Sequence, residues 1–227
     1  MADFVKHTSC DNCGSSDARA IYDDGSEHCF SCRSHKSGNS IARLKVGNKQ
    51  KTKRLYNTTK QLRADAEAWL NSYGLTSKEK ALFCWDEQRE LLIYEEEKFT
   101  NGRYFGSQDY PRYLSSGEKP FSLMGRGRSV VFVEDIISGI KVSRHTQTMT
   151  LFGSSIPSQI LWTTATTRRP AAIWLDSDKA IESAKMVKKI NESGGKAVSI
   201  ITKFDPKCYH DEEIKQILIS NGVYCGN

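Results

Sequence analysis

The chain has 227 residues, 38% of them hydrophobic and 26% charged, the proportions of an ordinary globular protein with apolar mass for one large domain or two modest ones. No apolar run approaches the ~20 residues that cross a bilayer as a helix, and residues 1–7 lack the apolar stretch of a secretory signal; the expected location is the cytoplasm, with no membrane partner. The net charge of +6 says less than its placement, because nine Lys or Arg and no acid fall between residues 34 and 63, a block that suits a polyanionic partner or a solvated linker.

Residues 1–33 are rich in Cys, Gly and Asp and poor in aliphatic side chains, so they need a staple in place of a core. Cys10-Asp-Asn-Cys13 and Cys29-Phe-Ser-Cys32 offer one: two C-x₂-C pairs, 15 residues apart, at the spacing of tetrahedral Zn²⁺ held by four thiolates. Four thiolates close the shell and leave no position for substrate, so the predicted zinc is structural. Residues 18–22 and 27–30 read as hairpin strands around Asp23-Asp24-Gly25-Ser26, which makes a zinc ribbon. His7, three residues before Cys10, reads from the residues alone as a surface histidine. Of the seven cysteines, Cys84, Cys208 and Cys225 stand apart and read as free thiols, with Cys84 in the core. Residues 34–58, rich in Lys, Ser, Gly, Asn and Thr, read as a basic flexible linker.

A helical pattern follows. Leu62, Ala66, Trp69, Leu70 and Tyr73 recur at helical steps and Gly74 ends them; Thr76 or Ser77 caps a short second helix running to Leu82. Strands are predicted over 91–94 and 102–105 around a turn at Thr100-Asn101-Gly102, and again over 112–114. Residues 59–128 thus form a small α+β subdomain. From 129 onward, strands at 129–133, 148–151, 171–175 and 196–201 alternate with helices at 136–145, 156–165, 180–191 and 211–220. This is the alternation of a parallel sheet covered on both faces, an α/β unit over 129–227. Chemistry in such sheets gathers at the carboxyl ends of the strands.

Three acidic stations fall there. Glu134 follows one strand, Asp176 and Asp178 the next, and Asp205 a third. Converging carboxylates repel one another without cations, and hard oxygen donors at that density suit Mg²⁺ or Mn²⁺. The D-x-D spacing would put both side chains on one side of an extended backbone. Two ions ~3.5–4 Å apart could then drive an in-line phosphoryl displacement. The competing reading is that such acids are helix N-caps. Lys179 is placed either to meet a triphosphate or to start a helix in solvent.

These residues resemble a known family. Val133-Glu134, Trp174-Leu175-Asp176-Ser177-Asp178-Lys179-Ala180 and Asp205-Pro206-Lys207 are similar to the TOPRIM domain of primases, topoisomerases and related nucleases. His7-Thr-Ser-Cys10-Asp-Asn-Cys13-Gly-Ser-Ser-Asp17 resembles the zinc-binding domain of phage primases. Arg112-Tyr113-Leu114-Ser115-Ser116-Gly117 and Ser122-Leu123-Met124-Gly125 resemble the segment preceding TOPRIM in the primase half of the primase–helicases of short-tailed coliphages. The resemblance implies a DNA primase that makes short RNA primers on single-stranded DNA from ribonucleoside triphosphates. In that family Glu134 would be general base or metal-site residue, Asp176 and Asp178 metal ligands, and Asp205 a further acid. The ribbon and His7 would help read the template, and Arg103, Arg112 and Lys119 would lie in the template- and nucleotide-binding region. Expected partners are a replicative helicase and a phage DNA polymerase; no Walker A sequence occurs, so the helicase is expected on a separate chain. The chain departs from the family pattern at Asp135 and Ser138, where Gly and Asp are usual, and at Ile181, where a small Gly is usual. A TOPRIM nuclease using the same acids, or a non-catalytic single-stranded-DNA adaptor for a helicase, are the alternatives.

Overall fold

The computed structural model describes residues 3–37, 53–108 and 110–223. The chain divides into two compact units, 1–50 and 51–227. Cys225 and half of the basic block, including Lys49 and Lys51, lie outside the described residues.

The first unit is one antiparallel sheet of β1 (Phe4–Thr8), β2 (Arg19–Tyr22), β3 (Glu27–Cys29) and β4 (His35–Lys36), paired in chain order. The predicted hairpin is β2–β3; β1 and β4 add a strand at each edge, and β4 lies beyond residue 33. Its buried apolar residues are Cys10, Ala20 and Cys29, too few to supply a hydrophobic core.

The second unit opens with residues 53–58 laid along a β-meander: Lys53 pairs with Glu95 and the Arg54 amide donates to Ser116. Helix α1 (Ala64–Ser72) ends at Gly74, which holds the left-handed φ of +70° that such a stop needs. Helix α2 (Ser77–Lys80) starts with a reciprocal cap in which the Glu79 amide donates to Thr76 Oγ1 and the Thr76 amide to Glu79. The meander comprises β5 (Phe83–Asp86), β6 (Leu91–Glu96), β7 (Phe99–Tyr104) and β8 (Tyr113–Gly117), all antiparallel. The hairpin expected at Thr100-Asn101-Gly102 is corrected here: the turn is Glu97-Lys98, and Asn101-Gly102 lies inside β7, with Gly102 opposite Ile93. Burial of Phe99 and Thr100 in the sheet outweighs the local Asn-Gly turn preference.

Then come β9 (Leu123–Met124), β10 (Val130–Val133), α3 (Ile136–Ser143), β11 (Gln147–Thr150), α4 (Ser158–Thr166), β12 (Pro170–Ile173), α5 (Ala180–Glu192), β13 (Lys196–Ser199), a 3₁₀ turn (Pro206–Cys208) and α6 (Asp211–Ser220). The sheet order is β13-β12-β10-β11-β9, parallel except for the edge strand β9. Strand alternation sorts its two faces. Val130, Phe132, Ala171 and Ile173 meet Met186 and Ile190 of α5, while Val131, Val133 and Ala172 meet Val142 of α3 and Ile214 and Leu218 of α6. Ile136, Ile137 and Ile140 of α3 also pack against Leu70, Phe83 and Trp85, so meander and parallel sheet share a core. Arg144 reinforces this joint, bonding Glu79 at 2.7 Å and Asp211 at 2.6 Å. The mixed α/β architecture with an N-terminal cysteine cluster is the one expected. Among the described residues no helix is long and apolar enough to cross a membrane.

Candidate metal centres and catalytic cleft

The two C-x₂-C pairs sit on two turns with the same hydrogen bonds. Cys10 N–H donates to Ser15 and its carbonyl accepts from Gly14; Cys29 N–H donates to Ser34 and its carbonyl accepts from Arg33. Gly14 (φ +70°) and Arg33 (φ +59°) hold equivalent left-handed positions. The turns bring Cys10, Cys13, Cys29 and Cys32 together with all Sγ atoms within 4.8 Å; among the described residues no other His, Cys, Asp or Glu group gathers its donor atoms this closely. The Cys10–Cys32 and Cys13–Cys29 sulfurs are 3.8 Å apart. Four sulfurs at ~2.3 Å from a tetrahedral ion would be separated by about that distance, so the donor set fits zinc. Amide hydrogen bonds from Asn12 and Cys13 hold the Cys10 thiol below its ordinary range, and the Ser34 hydroxyl and amide bring Cys32 down to about 6. On the ribbon's surface the exposed His7 ring lies 4.8 Å from Phe4 and 6.2 Å from Phe30, both exposed.

In the second unit, a cleft of about 460 Å³ runs between the meander and the carboxyl ends of the parallel strands. Arg103 and Arg112 line one wall; Glu134, Asp135, Asp176, Asp205 and Lys207 line the other. Arg103 is held in an aromatic cradle: its guanidinium lies 4.1 Å from the Trp69 ring centre and 5.3 Å from that of Phe105, and donates to the Tyr113 hydroxyl at 2.7 Å. Arg112 is exposed. Lys119 donates to the Phe152 carbonyl at 2.6 Å at the margin of the cleft. Phe152 itself takes a left-handed φ of +48° and places its ring 5.8 Å from Tyr94 and 4.6 Å from Phe99.

The acids fall into distinct roles. Glu134 and Asp176 are half-buried, and Glu134 Oε2 and Asp176 Oδ1 are buried oxygens with no hydrogen-bond partner. Burial and then the neighbouring Asp176 push the Glu134 carboxyl up; burial, opposed by the Lys207 ammonium and aided by the charges of Asp135 and Asp205, pushes Asp176 up to about 6. Both residues line the solvent cleft, and a hard divalent cation is a partner that carboxylate oxygens of this kind suit. Asp205 is different. Its burial is outweighed by hydrogen bonds from Ser177 and by the Lys207 ammonium, which hold its carboxyl below the usual range. Asp178 does not share the cleft as the D-x-D spacing led one to expect. The backbone turns after Asp176, with Lys179 N–H donating to its carbonyl at 2.9 Å, so Asp178 is exposed and pairs with Lys179 Nζ at 2.9 Å.

The helix-cap alternative applies to none of the station acids, and the cap of α3 is their neighbour Asp135. Asp135 caps α3, accepting from the Ile137 and Ser138 amides, and takes a further bond from the Ser138 hydroxyl. Neither Asp176 nor Asp178 caps α5, whose cap residue is Lys179, and Asp205 makes no cap bond to its 3₁₀ turn. The residue that sequence reasoning left without a role is Lys207. Its Nζ lies 3.0 Å from Asp135, 3.4 Å from Asp176 and 3.1 Å from Asp205. Burial works against its charge, but Asp135 and Asp176 outweigh it and raise its pKa. The buried Lys141 of α3 donates to the Lys207 and Tyr209 carbonyls and fixes the turn.

Comparison with known proteins returns primases. A 49-residue segment is 39% identical to a DNA helicase/primase of Enterobacteria phage T3, a match covering 22% of this chain and 9% of that protein. The zinc-binding and RNA polymerase domains of the Aquifex aeolicus primase superpose with a TM-score of 0.54 at 12% identity, over 99% of this chain and 81% of that one. The primase fragment of the bacteriophage T7 primase–helicase gives a TM-score of 0.46 at 15% identity, over 96% and 99% of the two chains. No family model matches the chain. The Aquifex likeness bears on fold, and the phage T3 segment is the resemblance in sequence; together they agree with the phage-type primase resemblance read from the motifs.

Proposed function

We propose that the chain is a DNA primase that joins ribonucleotides on a single-stranded DNA template. The observation that carries this reading is the pairing, across one 460 Å³ cleft, of partnerless carboxylate oxygens on Glu134 and Asp176 with a basic wall of Arg103 and Arg112. A bound Mg²⁺ or Mn²⁺ would supply charge neutralisation at the transferring phosphate. Glu134 and Asp176 would hold it, with Asp178 as a further ligand only if the turn at 176–179 rearranged, and Lys179 would meet the triphosphate. Arg103 and Arg112, with Lys119 at the margin, would bind the phosphates of nucleotide and template. The 3′-oxygen of one nucleotide forms a bond to the α-phosphorus of the next; the bond to the β-phosphate oxygen breaks and pyrophosphate leaves. Glu134, whose carboxyl is pushed up by burial and by Asp176 and so holds a proton more readily than an ordinary carboxylate, accepts the 3′-hydroxyl proton.

The ribbon, residues 1–33 in this reading, would be held by zinc on Cys10, Cys13, Cys29 and Cys32 and would select the template. The His7 ring, flanked by exposed Phe4 and Phe30, offers flat surfaces for unpaired bases. Residues 34–58 would tether it to the polymerase module, divided into the subdomain 59–128 and the TOPRIM domain 129–227. The working partners would be the template, ribonucleoside triphosphates, a replicative helicase and a DNA polymerase, in the cytoplasm of a phage's host. The test is incubation with random-sequence single-stranded DNA, four labelled ribonucleotides and Mg²⁺, followed by sequencing of products. Short RNAs starting at a recurring template sequence are expected. Metal-dependent loss of the template without nucleotides would identify a nuclease instead. Template binding with no product, unaltered by neutralising Asp176 and Asp178, would identify an adaptor.

A further inference from the structure

We infer that Lys207 is a resident cation that takes the place of one of two metal ions in the catalytic cluster. The inference rests on the metal-assisted reading above and specifies its stoichiometry. The Lys207 ammonium has three N–H donors, and three carboxylates surround it: Asp135 at 3.0 Å, Asp205 at 3.1 Å and Asp176 at 3.4 Å. Those separations are hydrogen-bonding lengths. Mg²⁺ draws oxygens to ~2.0–2.1 Å, so this half of the cluster is sized for an ammonium.

Asp176 is shared between the two halves. Its Oδ2 faces Lys207, and its Oδ1 is buried without a partner, as is Glu134 Oε2. A carboxylate bridging two cations is the arrangement of a two-ion site; here one of the two positions is filled covalently. The filling is built into the fold. The Lys207 side chain is only 14% exposed, and its backbone is tied to α3 through the Lys141 ammonium at 2.8 Å. Asp135 is fixed on the opposite side by capping α3 and by the Ser138 hydroxyl. Of the three departures from the family pattern, Asp135 meets this lysine directly and Ser138 holds Asp135 in place. A fixed ammonium cannot exchange ligands or carry a metal-bound hydroxyl. It can neutralise the acids around it, and Lys207 lines the same cleft as Arg103 and Arg112.

The experiment counts Mn²⁺ ions by electron paramagnetic resonance on the full-length, zinc-loaded protein without nucleotide. The wild type should bind one Mn²⁺ per chain. Lys207→Met should bind two, because Asp135 and Asp205 lose their counter-charge, and Lys207→Arg should bind one. Asp176→Asn should lose the ion in the wild-type background. Two ions in the wild type, or one in Lys207→Met, would overturn the inference while leaving the metal-assisted reading intact. No ion in the wild type would overturn both. Should Lys207→Met fail to fold, the wild-type count decides alone, one ion supporting the inference and two refuting it.

Discussion

In the ribbon, four sulfurs lie within 4.8 Å of one another. In the cleft, three carboxylates stand around a lysine, and two buried carboxylate oxygens have no hydrogen-bond partner. The first cluster is soft, complete and carried by a sheet with three buried apolar residues to its name; the second is hard, incomplete and carried by a sheet packed on both faces. The contrast separates two uses of acidic side chains. A closed thiolate shell replaces a core, so it belongs to folding. An open carboxylate edge is tolerated because a core elsewhere stabilises it, so it is free for chemistry.

Removing metal should break the comparison most sharply. Chelation of zinc should unfold the ribbon, since structural zinc supplies on the order of 10 kcal/mol in such modules. The second unit should melt unchanged, as followed by NMR of the Cys10–Cys32 region against tryptophan fluorescence, because all four tryptophans, Trp69, Trp85, Trp162 and Trp174, lie in it. Loss of both transitions together would show that the clusters are not independent.

Next in size is the loss of the shared carboxylate. Asp176→Asn should reduce ribonucleotide joining by roughly 10²–10³-fold and leave zinc content unaltered, by primer synthesis assay and elemental analysis. Retained activity would place Asp176 among structural acids.

The same residue gives a pH signature. The folded metal-free protein holds the Asp176 proton more tightly than the unfolded chain, with a pKa of about 6 against an ordinary 3.8. Its contribution to stability is fully present below about pH 4 and is lost as pH rises through about 6. The loss is at most roughly 3 kcal/mol, which metal binding would restore. Urea unfolding in EDTA should show this slope, confined to the second unit, and Asp176→Asn should flatten it.

The smallest effect compares the two turns of the ribbon. Gly14 and Arg33 occupy equivalent left-handed positions, but only glycine does so without steric cost. Arg33→Gly should raise the affinity of the ribbon for zinc by up to about 1 kcal/mol, measured by competition with a chelating dye. An unchanged affinity would mean that the arginine side chain compensates for its backbone.

Much of this organisation was legible in the residues. The C-x₂-C pairs, and the strand–helix alternation after residue 129, have local periodicities that tertiary structure had no reason to override. The short strand β5 and the true position of the β6–β7 turn were not legible, because both depend on what packs beside them: Phe83 and Trp85 on α1 and α3, and Phe99 inside the sheet. In the cleft, Glu134, Asp176 and Asp205 announce themselves by following strands. Asp178 was placed inward by a rule for extended backbone that the turn at 176–179 breaks. Lys207 was hidden for another reason. A lysine after Asp-Pro has no periodic or spacing signal, and only the return of the 3₁₀ turn toward α3 puts it among acids distant in sequence.

Phe152 has a mechanical consequence. Its ring sits against Tyr94 and Phe99 of the meander, while its neighbour Gly153 bonds the backbone of Glu134 on the parallel sheet. The ring therefore belongs to the core that Ile136, Ile137 and Ile140 of α3 share with the meander, and the backbone bond from Gly153 ties that core to a residue of the cleft wall. Shrinking the Phe152 side chain would loosen the packing under the cleft as well as the core itself.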